Sequence, residues 1–211
     1  MKEYKLPIGC DVPETIILAD GDFPSHPLAL EWLRQCPYVV CCDGAANTYI
    51  RSGRMPEAIV GDGDSLLPDI KERYASLIHS EAEQETNDLS KAFRFCLSQE
   101  RKRITIMGAT GKREDHTIGN VSLLADYMEQ AEVSMMTDYG IFVPIREDSM
   151  FESYIGQQIS VFNMNSTALS AEGLAYPLSV FTNWWQGTLN EALARHFIIR
   201  TEGKVLVFSV F

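Results

Sequence analysis

Residues 58–65, Ala-Ile-Val-Gly-Asp-Gly-Asp-Ser, decide the fold that we predict. The apolar start is typical of a buried strand, and the end is an acidic turn that contains two glycines. An open α/β sheet binds ligands outside the carboxyl ends of its strands, so this turn should lie at the active edge. Asp62 and Asp64 supply carboxylate oxygens, the ligands that Mg²⁺ prefers. The alternative interpretation is an ordinary solvated Asp-Gly turn.

Strands and helices alternate around this stretch. Apolar runs predict strands at residues 14–20, 38–42 and 104–107, and amphipathic runs predict helices at 27–35, 45–52, 87–99 and 117–129. Such alternation is typical of a doubly wound, mainly parallel sheet with right-handed crossovers. We therefore predict an α/β domain over residues 1–138.

After about residue 138 the pattern changes to short apolar runs separated by turns. These runs predict strands at residues 141–145, 158–163, 176–180, 195–201 and 205–211. We predict a small all-β domain of the sandwich or jelly-roll type over residues 139–211. So small a sheet would gain stability by packing against a neighbouring domain or a second subunit.

The composition limits the classes of function. Of the 211 residues, 45% are hydrophobic, which is ordinary for a packed globule. The formal net charge of -11 argues against nucleic-acid binding and would suit a cationic small substrate. The five cysteines show no metal-ligand spacing, which is typical of reduced thiols. No apolar run approaches a membrane span and no signal-peptide pattern is present, so we expect a cytoplasmic protein without membrane contact.

The loops after the predicted strands share one property, since each carries an aspartate or a glycine-rich turn. The aspartates are Asp20, Asp22, Asp43, Asp62 and Asp64, while Asp88 opens a helix and residues 108–115 form a glycine-rich loop. Because these loops should lie together at one edge of the sheet, a metal site is favoured over an ordinary solvated turn. Lys112 and Arg113 precede a helix and could bind an anion there, or simply lie in a solvated loop. Asp88 could equally be a first-turn residue favoured by the helix dipole.

Five segments together resemble the thiamine pyrophosphokinase family. They are residues 43–47 (Asp-Gly-Ala-Ala-Asn), 61–65 (Gly-Asp-Gly-Asp-Ser), 84–92, 108–116 and 173–178, in the family's order. The resemblance implies an α/β nucleotide-binding domain, a small β-sandwich that binds thiamine and dimerises, and a homodimer. The implied reaction transfers the diphosphate of ATP to thiamine and yields thiamine diphosphate and AMP.

The resemblance also implies roles for individual residues. Asp43, Asp62, Asp64 and Asp88 are the expected catalytic residues, and the last three are the expected ligands of Mg²⁺. ATP is expected to contact Asn47, Gln84, Lys91, Gly111, Lys112, Arg113, Asp115 and His116. Thiamine is expected to contact Trp184, Trp185 and Asn190.

The sequence departs from the family pattern at three places. Ala45 stands where the family has the second glycine of Asp-Gly-Gly-Ala-Asn. Asn87 stands where the family has Thr, and we expect it to cap the helix and hold Asp88 toward the metal. The family's Ser-Asn-Glu segment is here Leu-Asn-Glu, at residues 189–191. If Trp184 and Trp185 lie on a strand, they point to opposite faces, so that one is buried and the other stacks on thiamine.

We expect composite sites in the dimer, with the aspartates of one subunit facing residues 184–191 of the other. Two other classes of protein remain open from the residues alone. A metal-dependent glycosyltransferase could use the Asp62 and Asp64 pair, and it would act on a UDP-sugar. A non-catalytic module would bind ATP and release no AMP.

Overall fold

The computed structural model describes residues 1–7, 12–81, 83 and 85–211. The chain forms two compact units, one of residues Val12–Asp138 and one that joins Met1–Asp11 to Tyr139–Phe211. Strand β1 (Lys2–Tyr4) accounts for the difference from the predicted 1–138 domain, because it pairs in parallel with residues 149–151 of the second unit. Pairing over so long a separation leaves no local pattern in the sequence.

The first unit is a parallel sheet with helices between its strands. Its strands are β2 (Ile16–Leu18), β3 (Val39–Cys42), β4 (Ala58–Gly61), β5 (Ile78–Ser80), β6 (Arg103–Met107) and β7 (Glu132–Met136). Its helices are α1 (Pro27–Gln35), α2 (Ala45–Arg51), α3 (Pro68–Arg73), α4 (Asp88–Ser98) and α5 (Glu114–Tyr127). The strand order is β7-β6-β2-β3-β4-β5, and every pair is parallel. The predicted doubly wound fold is confirmed.

Local sequence explains these elements. Strands β2, β3 and β4 are buried along their whole length, as continuous apolar runs in a covered parallel sheet should be. Pro27 lies in the first turn of α1, where its missing N–H costs nothing. The Asn87 side chain accepts the backbone N–H of Ser90 at 2.9 Å, which confirms the predicted cap of α4.

The second unit packs two sheets against each other. Its further strands are β8 (Gly140–Ile145), β9 (Ser149–Glu152), β10 (Gln158–Asn163), β11 (Leu169–Glu172), β12 (Asn190–Glu191), β13 (His196–Thr201) and β14 (Val205–Val210). The orders are β1-β9-β13-β11 and β12-β10-β14-β8. Phe151 and Phe197 of the first sheet share one apolar core with Val161 and Val207 of the second. The predicted small all-β sandwich is confirmed.

Two local predictions in this unit are wrong. Residues 176–180 form no strand, because the backbone N–H and carbonyl of Tyr176 bind the side chain of Asn190 and Pro177 follows. Trp184 and Trp185 lie in a 3₁₀ turn (Trp184–Gly187) and not on a strand. Their side chains are 43% and 73% exposed, so neither belongs to the core.

Among the described residues, no helix combines the length and the apolar character that crossing a bilayer requires.

Candidate active site

A cleft of about 350 Å³ opens at the carboxyl edge of the parallel sheet. From β2, the chain adds β3 on one side and β6 on the other, which makes this edge a topological switch point. The loops after β2, β3 and β6 line the cleft together with the starts of α4 and α5. The polar lining residues are Asp20, Asp43, Ser65, Asn87, Asp88, Lys112, Arg113, His116 and Asn120.

Asp43, directly after β3, is the buried carboxylate of the cleft, with only 3% of its surface exposed. Its Oδ2 accepts the backbone N–H of Ser65 at 3.0 Å, and its Oδ1 has no hydrogen-bond partner among the described residues. Burial raises the pKa of Asp43, and the charges of Asp88 and Asp62 raise it further. Burial of the charged carboxylate costs free energy unless a proton or a nearby cation neutralises it.

Gly61 permits the close approach of these carboxylates. A Cβ at position 61 would lie 2.8 Å from the Cβ of Asp43 and 3.4 Å from the Cγ of Asp88. Packed atoms do not approach as closely as the first of these distances, so a side chain here would push Asp43 away. The glycine that ends β4 therefore sets the geometry of Asp43 and Asp88, which follow other strands.

The second acidic residue of the turn, Asp64, occupies a different place. Its carboxylate is exposed and lies in a shallow depression with Lys71, while its backbone N–H donates to Oδ1 of Asp62 at 3.1 Å. The structure thus brings Asp62 and Asp88 near Asp43, with Asp64 just outside.

The aspartates suit a divalent cation by their chemistry. Mg²⁺ takes oxygen ligands, and Asp43 offers an unpartnered one in an acidic surrounding. Among the described residues, no three His, Cys, Asp or Glu side chains are already spaced so that they could hold a metal ion. The chemical type of these donor groups therefore fits Mg²⁺.

Lys91 supplies a buried positive charge beside Asp88. Its ammonium lies 3.1 Å from Oδ1 of Asp88 and the residue is 3% exposed. Burial lowers the pKa of Lys91, but the hydrogen bond to Asp88 and nearby carboxylates outweigh this, so the pKa is raised. Lys91 therefore remains charged and offsets part of the acidic cluster.

The two cations of the loop after β6 are both paired with carboxylates. Lys112 has a φ of 56° and its ammonium lies 3.0 Å from Oδ1 of Asp20, across the cleft. Arg113 binds Asp115 through two nitrogens, at 3.0 and 2.5 Å. An anionic ligand that binds Lys112 and Arg113 would therefore have to displace these carboxylates.

Two family models cover most of the chain. Residues 29–136 match the model described as thiamin pyrophosphokinase, catalytic domain, which is more than half of the chain. Residues 140–208 match thiamin pyrophosphokinase, substrate-binding domain. The chain belongs to the thiamin pyrophosphokinase family.

Curated relatives agree with this membership. Thiamine pyrophosphokinase 1 of Oryza sativa subsp. japonica is 30% identical over 129 residues, which cover 49% of each chain. Thiamine pyrophosphokinase of Bacillus subtilis (strain 168) is 34% identical over 86 residues, which cover 39% of this chain and 40% of the relative. The chain spans about half the length of the curated relatives it matches.

Solved structures share the fold. Thiamin pyrophosphokinase from Candida albicans superimposes with a TM-score of 0.81 at 18% identity, over 100% of this chain and 93% of that one. The Bacillus subtilis enzyme superimposes with a TM-score of 0.77 at 20% identity, over 93% of this chain and 98% of that one. At such identities the likeness is one of fold.

The residues expected to contact ATP, on the basis of the resemblance to the thiamin pyrophosphokinase family, lie in different environments. Gly111, Lys112, Arg113 and His116 line the cleft. Asn47 uses its side chain within the protein, where it donates to the carbonyl of Ser65 and accepts the N–H of Leu67. Asn47 therefore braces the turn that carries Asp62. Gln84 lies outside the described residues.

The expected thiamine contacts lie in the second unit. Asn190 is buried, and its side chain bonds the backbone of Tyr176 at 3.0 and 2.8 Å. Trp184 touches Phe162 edge-on, with ring centroids 6.0 Å apart, while Trp185 is the more exposed of the pair. Asn190 thus shapes the local chain, and Trp185 offers a free aromatic face.

Residues outside the predicted set also line the cleft. Asn120 donates to the carbonyl of Ala109 at 2.8 Å and accepts from Asn87 at 3.2 Å, so it joins α5 to the start of α4. Asp20 pairs with Lys112. Asp20 had a signal in the sequence, since it ends a strand, whereas Asn120 lies inside a helix and had none.

Proposed function

We propose that this protein is a thiamine diphosphokinase that transfers the β,γ-diphosphate of ATP to the hydroxyethyl group of thiamine. The products are thiamine diphosphate and AMP. The observation that carries the proposal is the buried Asp43 carboxylate, which lies beside Asp62 and Asp88 in the same cleft as Lys112 and Arg113. Family membership supports the same conclusion.

Asp62, Asp64 and Asp88 are the proposed ligands of Mg²⁺, and Asp43 lies near Asp62 and Asp88. When bound, the cation supplies the charge neutralisation that phosphoryl-type transfer requires. The acidic cluster alone would repel ATP, so nucleotide binding and cation binding should depend on each other.

The residues of the chain position the reacting groups. Lys112 and Arg113 leave their carboxylate partners and bind phosphate oxygens at the start of α5, where backbone N–H groups also favour an anion. The thiamine oxygen forms a bond to the β-phosphorus while the bond from that phosphorus to the α,β-bridging oxygen breaks, and AMP leaves. Asp64 is our proposed acceptor of the hydroxyl proton, because its carboxylate is exposed and makes no hydrogen bond to another described residue.

Thiamine is the proposed occupant near residues 184–191, in a homodimer whose sites are composite. The support is the exposed group of Tyr176, Trp185 and Leu189, which are 64%, 73% and 76% exposed. An indole face is a good partner for a cationic aromatic ligand. Exposed apolar side chains grouped in this way are typical of binding surfaces.

The proposed location is the cytoplasm. Cys36, Cys41, Cys42 and Cys96 are free thiols, and burial raises the pKa of the Cys96 thiol to about 12, so it is unreactive. Free structural thiols fit a reducing compartment.

One assay tests the proposal. Purified protein with Mg²⁺, ATP and thiamine should form thiamine diphosphate and AMP in equal amounts, and chelation of the cation should stop the reaction. ATP binding without AMP formation would identify a non-catalytic module. Turnover of a UDP-sugar in place of ATP would identify a glycosyltransferase, and either result would overturn the proposal.

A further inference from the structure

Arg94, on helix α4, binds three residues that precede the helix. Its guanidinium lies 3.0 Å from the carboxylate of Glu81, 2.9 Å from that of Glu83 and 3.1 Å from the hydroxyl of Thr86. Thr86 in turn donates its backbone N–H and its hydroxyl to Glu83, at 2.6 and 2.7 Å. An isolated surface ion pair contributes little, but a guanidinium that joins three such groups fixes their geometry.

These contacts connect two parts of the cleft. The backbone N–H of Glu81 donates at 3.2 Å to the carbonyl that ends β4, next to Asp62. Thr86 directly precedes the N-cap of α4, and Asp88 is the first residue of that helix. Arg94 therefore fixes the relative positions of two segments that each carry an aspartate of the site.

We propose that Arg94 is a positioning residue for the binding of ATP and Mg²⁺, which acts by joining Glu81, Glu83 and Thr86 and so fixing the start of α4. The inference rests on the proposed function for the identity of the ligand. Arg94 itself touches neither ATP nor the metal. Its effect passes through Thr86 and the first turn of α4 to Asp88.

Calorimetric titration of ATP with Mg²⁺, without thiamine, tests the inference apart from turnover. We expect Arg94→Gln to weaken binding by about tenfold or more, the scale on which outer partners of ligand-holding residues act. Arg94→Lys should lose less, because an ammonium can pair with Glu83 but cannot join all three groups.

Arg103→Gln is the matched control, because Arg103 forms an exposed ion pair with Glu14 at 2.7 Å in the same unit. It should bind like the wild type and melt at a temperature similar to that of Arg94→Gln. Wild-type affinity in Arg94→Gln would overturn the inference. If Arg94→Gln does not fold, Arg94→Lys decides, and wild-type affinity in that variant would overturn the inference. A wild type that binds ATP but forms no AMP would refute only the proposed function.

Discussion

Asp43 carries a charge that the folded protein disfavours. Burial, and then the charges of Asp88 and Asp62, raise its pKa above the ordinary 3.8. Its ionised form therefore costs stability at pH 7, and the cost disappears as the pH falls through the raised pKa toward 3.8. We expect Asp43→Asn to raise the melting temperature of the metal-free protein at pH 7 by about 2–4 °C and to abolish turnover.

Calorimetry in a chelating buffer checks this expectation. The melting temperatures of Asp43→Asn and the wild type should converge as the pH is lowered from 7 through the raised pKa of Asp43 to below 3.8. A variant that melts below the wild type at pH 7 would show that the charge of the Asp43 carboxylate does not destabilise the folded protein.

The proposed role of Asp62 and Asp64 is to supply negative charge to the site and not to pack against other side chains. We expect Asp62→Asn and Asp64→Asn each to lower kcat by about 10² or more, the loss seen when a preorganised electrostatic group is removed. Thermal stability should change little. Asp69→Asn, an exposed aspartate of α3, is the control and should turn over normally. Near-normal kcat in both site variants would remove the metal assignment.

The sequence predicted which aspartates lie close together, but it did not predict which charged side chains pair with each other. The gathering of Asp43, Asp62 and Asp88 follows from parallel strands that end at one edge. The pairing of Lys112 with Asp20 joins two loops that are far apart in the chain, so no local spacing indicates it. The position of Asp64 outside the cleft depends on the exact path of a glycine turn.

Helix α4 brings Asp88 to the cleft, with the buried Lys91 beside it, and the first turn of the helix depends on Asn87. We expect Asn87→Ala to lower the free energy of unfolding by about 1 kcal/mol, the usual cost of a lost N-cap, and to weaken the response to Mg²⁺. Urea unfolding and a Mg²⁺ titration measure the two effects. Asn87→Ser keeps a capping oxygen and should retain most of the stability. Unchanged unfolding and unchanged Mg²⁺ dependence in Asn87→Ala would contradict the cap's role.

The two tryptophan side chains of the 3₁₀ turn Trp184–Gly187 have different surroundings, and we expect different roles for them. Trp185 is 73% exposed. Trp185→Ala should raise the KM for thiamine by about 2- to 30-fold, the loss that corresponds to a cation–π contact of roughly 0.5–2 kcal/mol. Trp185→Phe should keep most of the affinity. Trp184 packs on Phe162, so Trp184→Ala should chiefly lower stability. An unchanged KM in folded variants of both would end the stacking hypothesis.

Elements with one strong local signal were predictable, and those set by distant contacts were not. Helix α1 spans Pro27–Gln35 as predicted, because a proline start and an amphipathic pattern agree. Residues 176–180 alternate apolar and other side chains but form no strand, since Asn190 holds the backbone. Strand β11 (Leu169–Glu172) was missed because its sequence, Leu-Ser-Ala-Glu, has little strand character.

For the whole molecule, the alternation of strands and helices followed by strands alone was sufficient for the architecture. The sequence did not show that β1 joins the second unit, because that pairing depends on a strand at residues 149–151. Subunit association depends on surfaces rather than on periodicity. It therefore requires a direct experiment.

The proposed composite site makes a quantitative prediction for mixed dimers. A chain with Asp64→Asn and a chain inactivated within residues 184–191 are each inactive, but a heterodimer of the two would contain one intact site of its two. Random pairing after unfolding and refolding makes half of the dimers heterodimeric, so activity should recover to about one quarter of the wild type. Mixing without unfolding is the control and should stay inactive at first. If light scattering shows a dimer and the refolded mixture remains as inactive as its parents, each site is built within one subunit.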